Sequence, residues 1–330
     1  MTLVWGDSHK SELTFRQAVK GYLADAERGM KPSTFRQQKY RLRKILELVA
    51  WADKSTSSIT ATDIQRFISF RLKGSAPSTC NRDVSSFRSV FEWAQRMGHC
   101  TSTNPVKDIR LLSEKGRERK MYLTISESAT FLRACQDEGD VLVHDFMTVA
   151  LRTGCRRGEL LSLEWRDVLL DRAEMTIRAC NSKSSKDRTI PLGKTVIETF
   201  RRLRAREKVI QVDGSGRVFM ENCKPLHVVR LQRTFERIRQ RLSKGKGLVP
   251  EKLNEFVIHS LRHTFATLGL QAGASLWVMQ KLLGHSNPAM TASLYGHHSA
   301  SAARPSVDLL DAALDGGGVE EKKGSSASGA

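Results

Sequence analysis

Residues 113–120 read SEKGRERK, a run without one apolar side chain. No hydrophobic core can take in such a segment, so the chain before it and the chain after it must each bury apolar surface of their own. Both are long enough, because the chain has 330 residues and a domain takes about 100–200. The expected organisation is a lead-in at 1–10, a first unit at 11–112, a linker at 113–120 and a second unit at 121–314. A tail at 315–330, mostly GGGVEEKKGSSASGA, is too rich in Gly and Ser to order.

In the first unit, Leu13, Phe15, Ala18, Val19, Tyr22 and Leu23 recur at helical spacing, and Gly29 ends the run. Pro32-Ser33-Thr34 opens a second helix, with Phe35, Leu42, Ile45, Leu46 and Val49 as its apolar side. Its other face carries Arg36, Lys39, Arg43 and Lys44, either a solvated face or one laid on phosphates. Thr60 to Asp63 caps a third helix through Arg71, and Ala76-Pro77 opens a fourth that passes Trp93 to Gly98. No strand-like alternation precedes residue 120, so this unit is expected to be a small helical bundle.

The second unit adds a little sheet. Thr124 followed by Glu127 reads as a capping box, and a helix is expected from Val141 to Arg152. Met175, Ile177 and Ala179 alternate with Thr176 and Arg178 as a strand does. After the polar turn at 180–187, Arg188-Thr189-Ile190-Pro191-Leu192 forms its partner. Residues 201–246 are densely basic and read as mostly helical, with Arg230, Arg233, Arg237 and Arg241 making one positive stripe. The expected fold class is mainly α with a small antiparallel β-sheet.

Lys plus Arg number 54 against 35 Asp plus Glu, a net charge of +19. Residues 1–120 hold 23 basic and 12 acidic side chains, leaving 31 and 23 for the rest. An excess carried by both halves points to a polyanion that both halves touch, nucleic acid before an anionic membrane. The longest charge-free stretch near the apolar regions, Thr264 to Gln280, contains Gln, Ser, Thr and Gly and is no bilayer span. The N-terminus has no secretory pattern. Cys80, Cys100, Cys135, Cys155, Cys180 and Cys223 lack metal-ligand spacing and read as reduced, mostly buried thiols of a cytoplasmic protein.

The chemistry is narrowed by elimination. There is no GxxxxGK[ST] loop, no HExxH and no pair of closely spaced carboxylates that reads as a Mg²⁺ site, so nucleotide hydrolysis and two-metal cleavage lack their residues. Five strings remain: TGCRRGEL (153–160), SKSSKDRTIPL (182–192), HSLRHTFAT (259–267), LLGH (282–285) and SLY (293–295). They offer Arg, Lys, His and Tyr295, the one tyrosine beyond residue 122. Guanidinium and imidazole groups can hold a pentacoordinate phosphorane without metal, and a phenol can attack phosphorus.

These strings, in this order, resemble the tyrosine recombinases, also called phage integrases. Residues 76–106 are similar to the last helices of that family's helical core-binding (SAM-like) domain, so the resemblance covers roughly 11–300. It implies an N-terminal core-binding domain, a C-terminal α+β catalytic domain and a clamp around double-stranded DNA. It implies that Tyr295 attacks the scissile phosphate to give a 3′-phosphotyrosyl link. Arg156, Arg262 and His285 would hold the non-bridging oxygens, and Lys183, with Lys186 as the fallback, would protonate the leaving 5′-oxygen. His259 would take the phenolic proton, and Glu159 would orient the arginines. Metal ligands and cofactors are not implied.

The partners implied are DNA, three further copies forming a homotetramer on DNA (monomer or dimer in solution), and an accessory or second recombinase. DNA contacts are expected from Arg36, Lys39, Arg43, Lys44, Arg82, Arg188, Arg230, Arg233 and Arg237. The interval from His285 to Tyr295 is one residue longer than the family's usual spacing. That departure keeps open a DNA-binding accessory protein without catalysis. A type IB topoisomerase shares the tyrosine chemistry and is the other alternative. His297 and His298 have no further ligands at useful spacing and are read as helix residues after Tyr295. Each motif also has a local reading: Arg156 can pair with Glu159 one turn on, His259 and His263 can be core histidines, and His285 can cap the helix ending at Gly284. PSVDLLDAAL (305–314) is an amphipathic candidate for docking on a neighbour or on its own domain.

Overall fold

Several helices begin where a side chain satisfies free N–H groups, whereas those opening at Pro32 and Pro77 have a proline in the first turn and no side-chain cap. Thr14 Oγ1 accepts from Gln17 N, and the Gln17 side chain accepts in return from Thr14 N. Thr60 with Asp63, and Thr124 with Glu127, repeat the device at the positions the sequence indicated. The computed structural model describes residues 12–114, 121–181, 186–207, 216–222, 224–244 and 250–284. The chain divides into two compact units, Met1–Glu118 and Arg119–Ala330.

The first unit is four helices: α1 (Phe15–Gly29), α2 (Pro32–Leu48), α3 (Ala61–Leu72) and α4 (Pro77–Arg96). α4 is the longest, and α1, α2 and α3 each pack on it. Its Phe87 meets Phe15, Trp51 and Phe67 at ring-centroid distances of 5.6, 5.5 and 5.0 Å. One charge enters this core: Asp83 on α4 is buried and paired with Arg71 at 3.0 Å and Arg41 at 3.7 Å, which ties α4 to α3 and α2.

The second unit opens with α5 (Ile125–Asp137), α6 (Val141–Thr153) and the short α7 (Arg157–Leu161). A three-stranded antiparallel sheet follows, β1 (Val168–Leu169), β2 (Glu174–Ile177) and β3 (Arg188–Pro191), in the order β1-β2-β3. Met175 pairs with Ile190, and Ile177 with Arg188. Then come α8 (Lys194–Glu207), a two-stranded hairpin of β4 (Met220–Glu221) and β5 (Lys224–Pro225), α9 (Val228–Lys244), α10 (Pro250–Glu255), α11 (Ser260–Gln271) and α12 (Leu276–Leu283). The core is built on α6, almost wholly buried and carrying Phe146, with Phe131, Phe200, Phe219 and Phe256 in the same cluster. Leu123 N donates to Thr264 Oγ1 on α11, fastening the start of the unit to a helix 141 residues on.

One sequence expectation is corrected. The strand ends at Ile177 rather than running through Ala179. Arg178 turns onto Asp167 and Glu164, and Ala179 N donates to Asp187 Oδ1 as the chain enters a 3₁₀ turn. Within 201–246 the described residues are mostly helical, in α8 and α9, with the short β4–β5 hairpin between them. Most of the expected linker, 115–120, lies outside the described residues. Among the described residues no helix is long and apolar enough to cross a membrane.

Truncating Phe87→Ala removes the ring that three aromatic neighbours meet and should cost the first unit about 3–5 kcal/mol. Hydrogen exchange under urea should show faster opening of α1–α4 with α5–α9 unchanged; unchanged protection of α1–α4 would contradict this core.

Candidate active site

The turn after α6 depends on glycine for two reasons. Gly154 has φ +63°, a left-handed conformation, and a Cβ there would collide with the Phe265 ring and lie 3.0 Å from Leu283 Cδ2. The turn delivers Arg156 to the start of α7. Arg156 N donates to Glu159 Oε2, and Arg156 Nη1 donates to Glu159 Oε1, both at 2.8 Å. The local pairing of these two residues and their joint place in a site are therefore both present.

Glu159 is buried and accepts from a second arginine. Arg188, the first residue of β3, donates Nη1 to Oε1 at 3.1 Å and Nη2 to Oε2 at 2.6 Å. Four donors fill the carboxylate's accepting positions. Burial alone would raise the Glu159 pKa, but Arg188 and then Arg156 hold it below the usual carboxylate range. Glu159 is thus a fixed anion that orients two arginines.

Arg262 comes from α11 and is itself buried. Its Nη1 donates to Gly154 O at 2.8 Å, and its Nη2 donates to Leu283 O at 2.6 Å. Burial, and then the neighbouring Arg156, push its pKa down to about 9, so it stays charged at neutral pH.

These arginines meet at the carbonyl end of α12. Arg188 Nε donates to Leu282 O at 2.9 Å, Arg262 to Leu283 O, and Arg156 Nη2 to Gly284 O at 3.4 Å. A helix C-terminus has carbonyls without internal partners and a negative dipole end, so cations gather there. Gly284 also has a left-handed φ of +64°, and a Cβ on it would lie 3.0 Å from Arg188 Cδ. Three guanidiniums and one carboxylate, which binds two of them, leave two positive charges without a fixed anion, an arrangement suited to a phosphate.

His259 and His263 meet edge to face with ring centroids 5.0 Å apart. His259 is partly open to solvent, yet desolvation, then His263 and Arg262, push its pKa down to about 4. It is a neutral imidazole at pH 7. Burial, then Arg262, also lowers His263. An open cavity of about 650 Å³ is lined by Arg156, Arg157, Gln232, Arg239, Phe256 and His259. Among the described residues no group of three or more His, Cys, Asp or Glu side chains is placed to hold a metal.

The structure thus brings together Arg156, Glu159, Arg262 and, at the cavity edge, His259. Lys183, His285 and Tyr295 lie outside the described residues, as do His297, His298 and the segment 305–314. Lys186 is exposed in the turn before β3. Of the cysteines, 80, 100, 135 and 155 are buried and reduced and Cys180 is exposed; Cys223 lies outside the described residues.

Several expected DNA contacts look different in three dimensions. Arg36, Lys39, Arg43, Lys44 and Arg82 are exposed, although Arg43 and Lys44 both pair with Glu47. Arg188 is corrected from a surface contact to an internal one, since its side chain is 7% exposed and bound on three sides. The α9 stripe is not a free positive face. Arg230 binds Asp140 and Glu221, and Arg237 and Arg241 bind Glu138; Arg233 is exposed. Carboxylates about 90 residues away in sequence neutralise these arginines, which a helical-wheel reading of α9 cannot show. The roles of Arg188 and of the Gly154 and Gly284 carbonyls were missed. The left-handed glycines were a readable signal; backbone carbonyl acceptors give none.

The described site can be set beside known proteins. Residues 121–302 match the model of the phage integrase family, and residues 16–113 match that of the phage integrase N-terminal domain. The chain is 30% identical to tyrosine recombinase XerD of Oceanobacillus iheyensis over 290 residues, 82% of this chain and 89% of that protein. It is 28% identical to the integrase of Escherichia phage 186 over 239 residues, 72% of this chain but 62% of that protein. Its fold is similar to that of the Tn1549 transposon integrase solved with a circular intermediate DNA. That match has a TM-score of 0.74 and 24% identity, and covers 91% of this chain and all of that one.

The neutral state of His259 is directly measurable. Its imidazole signals should titrate in NMR with a midpoint near 4, against about 6.5 for a free histidine. Because the unfolded chain binds this proton more readily, the stability His259 contributes is complete above about pH 6.5 and falls as pH drops toward 4. A midpoint at or above 6.5 would contradict the desolvation, and then the neighbouring charges, that lower it.

Proposed function

We propose a mechanism on the premise that this chain belongs to the phage integrase family, the tyrosine site-specific recombinases. It binds double-stranded DNA and exchanges strands by two successive transesterifications. The observation that carries this reading is the convergence of Arg156 and Arg262 on one point, with two positive charges left for an anion to complement. A DNA phosphodiester supplies that anion. The exposed bases of α2, and the DNA in the complex of the structurally similar integrase, support duplex DNA as the partner.

In the first step the Tyr295 oxygen attacks the scissile phosphorus. The P–O5′ bond breaks, a 3′-phosphotyrosyl bond forms, and the 5′-oxygen leaves as a hydroxyl. Neutral His259 accepts the phenolic proton, since a phenol of pKa about 10 is a poor nucleophile at pH 7. Lys183, or Lys186 in its place, protonates the 5′-oxygen. Arg156 and Arg262 stabilise the charge that builds on the non-bridging oxygens; Arg262 uses two of its five N–H donors on carbonyls and keeps the rest. Each such donor is worth about 3–4 kcal/mol of barrier. His285, the residue after Gly284 in sequence, is assigned a further contact to the non-bridging oxygens.

In the second step a 5′-hydroxyl attacks the phosphotyrosine and Tyr295 leaves. One ester replaces another, so the exchange needs no nucleotide hydrolysis, and the arginine and imidazole groups act without a metal. Swapping four strand ends takes four nucleophiles, hence a tetramer on DNA.

Incubating the chain and Tyr295→Phe with nicked duplexes from its own genomic surroundings, in EDTA, tests this on denaturing gels. A DNA-linked band should form with the native chain and vanish in the variant. Binding without a covalent band on any such duplex would favour the accessory-protein alternative.

A further inference from the structure

Arg188 is the most fully engaged cation in the site. Its side chain is 7% exposed, and all three of its guanidinium nitrogens donate: two to the Glu159 carboxylate and one to Leu282 O. With its nitrogens so engaged and its side chain enclosed, it is no surface contact for a DNA backbone. What it does touch is instructive.

Glu159 has two jobs at once. Through Oε2 it accepts from the Arg156 backbone and through Oε1 from the Arg156 guanidinium. Arg188 binds the same two oxygens from the other side. Without Arg188, a buried carboxylate would face Arg156 alone and be free to rotate about its side-chain torsions. The Nε bond to Leu282 O fixes the end of α12 one residue before Arg262 binds Leu283 O and two before Arg156 binds Gly284 O. The Arg188 side chain also passes close enough to Gly284 that a Cβ there would sit 3.0 Å from its Cδ. Arg188 therefore joins the sheet, Arg156 at the start of α7 and the carbonyl end of α12.

We propose that Arg188 is a positioning residue for strand cleavage. It holds Arg156 through Glu159, and it holds the carbonyl end of α12 to which Arg156 and Arg262 also donate, without touching DNA. The proposal rests on the recombinase reading above. A fixed partner behind an active group commonly accounts for about ten- to a hundredfold in activity.

The test uses the full chain and a nicked duplex at saturating protein. Two variants separate charge from geometry: Arg188→Lys keeps the charge but not the two-pronged grip, and Arg188→Gln loses both. The rate of covalent joining and the Kd for the same duplex are measured separately. Both are repeated on a duplex whose scissile phosphate is a methylphosphonate, which lacks the negative charge that Arg156 would meet.

Both variants should slow joining by about tenfold or more while Kd stays unchanged, and the deficit should shrink on the methylphosphonate. A Kd that weakens in step with the rate, or a deficit of equal size on both duplexes, would overturn the positioning role and leave a structural or DNA-contacting arginine. Joining at the native rate by both variants would overturn it as well. If Arg188→Gln fails to fold, Arg188→Lys alone carries the same comparison, and failure of both to fold overturns a role confined to positioning. Should the native chain bind yet never join, the recombinase reading falls and this inference with it; when the native chain joins, any deficit in the variants belongs to Arg188 alone.

Discussion

The buried carboxylate of Glu159 organises everything around it. It sits one turn into α7, accepts four hydrogen bonds and faces two guanidiniums. A buried ion pair of this kind adds little net stability over an apolar replacement, yet removing one partner leaves an uncompensated charge at a cost of about 3–5 kcal/mol. Its role is geometric. Two arginines from distant segments are fixed relative to each other before any substrate arrives.

The second fixed point is the end of α12. Three arginines from three segments donate to three successive carbonyls, Leu282, Leu283 and Gly284. A left-handed glycine closes α6 and another closes α12, and each offers its carbonyl to an arginine of a different motif: Gly154 to Arg262 and Gly284 to Arg156. The three motifs at 153–160, 259–267 and 282–285 are thus interlocked through backbone as well as side chains. Site assembly is built into the packing of α6, α11 and α12, and it leaves a net positive charge.

Much of this was legible in the sequence. Helix starts at Thr60 and Thr124 were readable because capping is local chemistry. The pairing of β2 with β3 followed from alternation and a polar turn. The Arg156–Glu159 contact was readable because the two residues are one helical turn apart. What stayed hidden was non-local. Arg188 lies 29 residues from Glu159, and nothing in its immediate sequence marks it as internal rather than as a basic strand residue beside DNA. The α9 arginines look like a free stripe until Glu138 and Asp140 arrive from the α5–α6 turn. Short elements such as α7, α10 and the β4–β5 hairpin carry too few residues for periodicity to register.

The central claim is that Arg156 and Arg262 meet the scissile phosphate while Arg188 stays behind them on Glu159. A structure of the chain with cleaved duplex DNA and orthovanadate, which mimics the pentacoordinate phosphorus, tests it most directly. Arg156 and Arg262 nitrogens should lie within hydrogen-bond distance of the equatorial vanadate oxygens, with Tyr295 in an apical position and the Arg188–Glu159 pair intact. An Arg188 guanidinium that leaves Glu159 to bind the vanadate, or a vanadate held without Arg156 and Arg262, would contradict it.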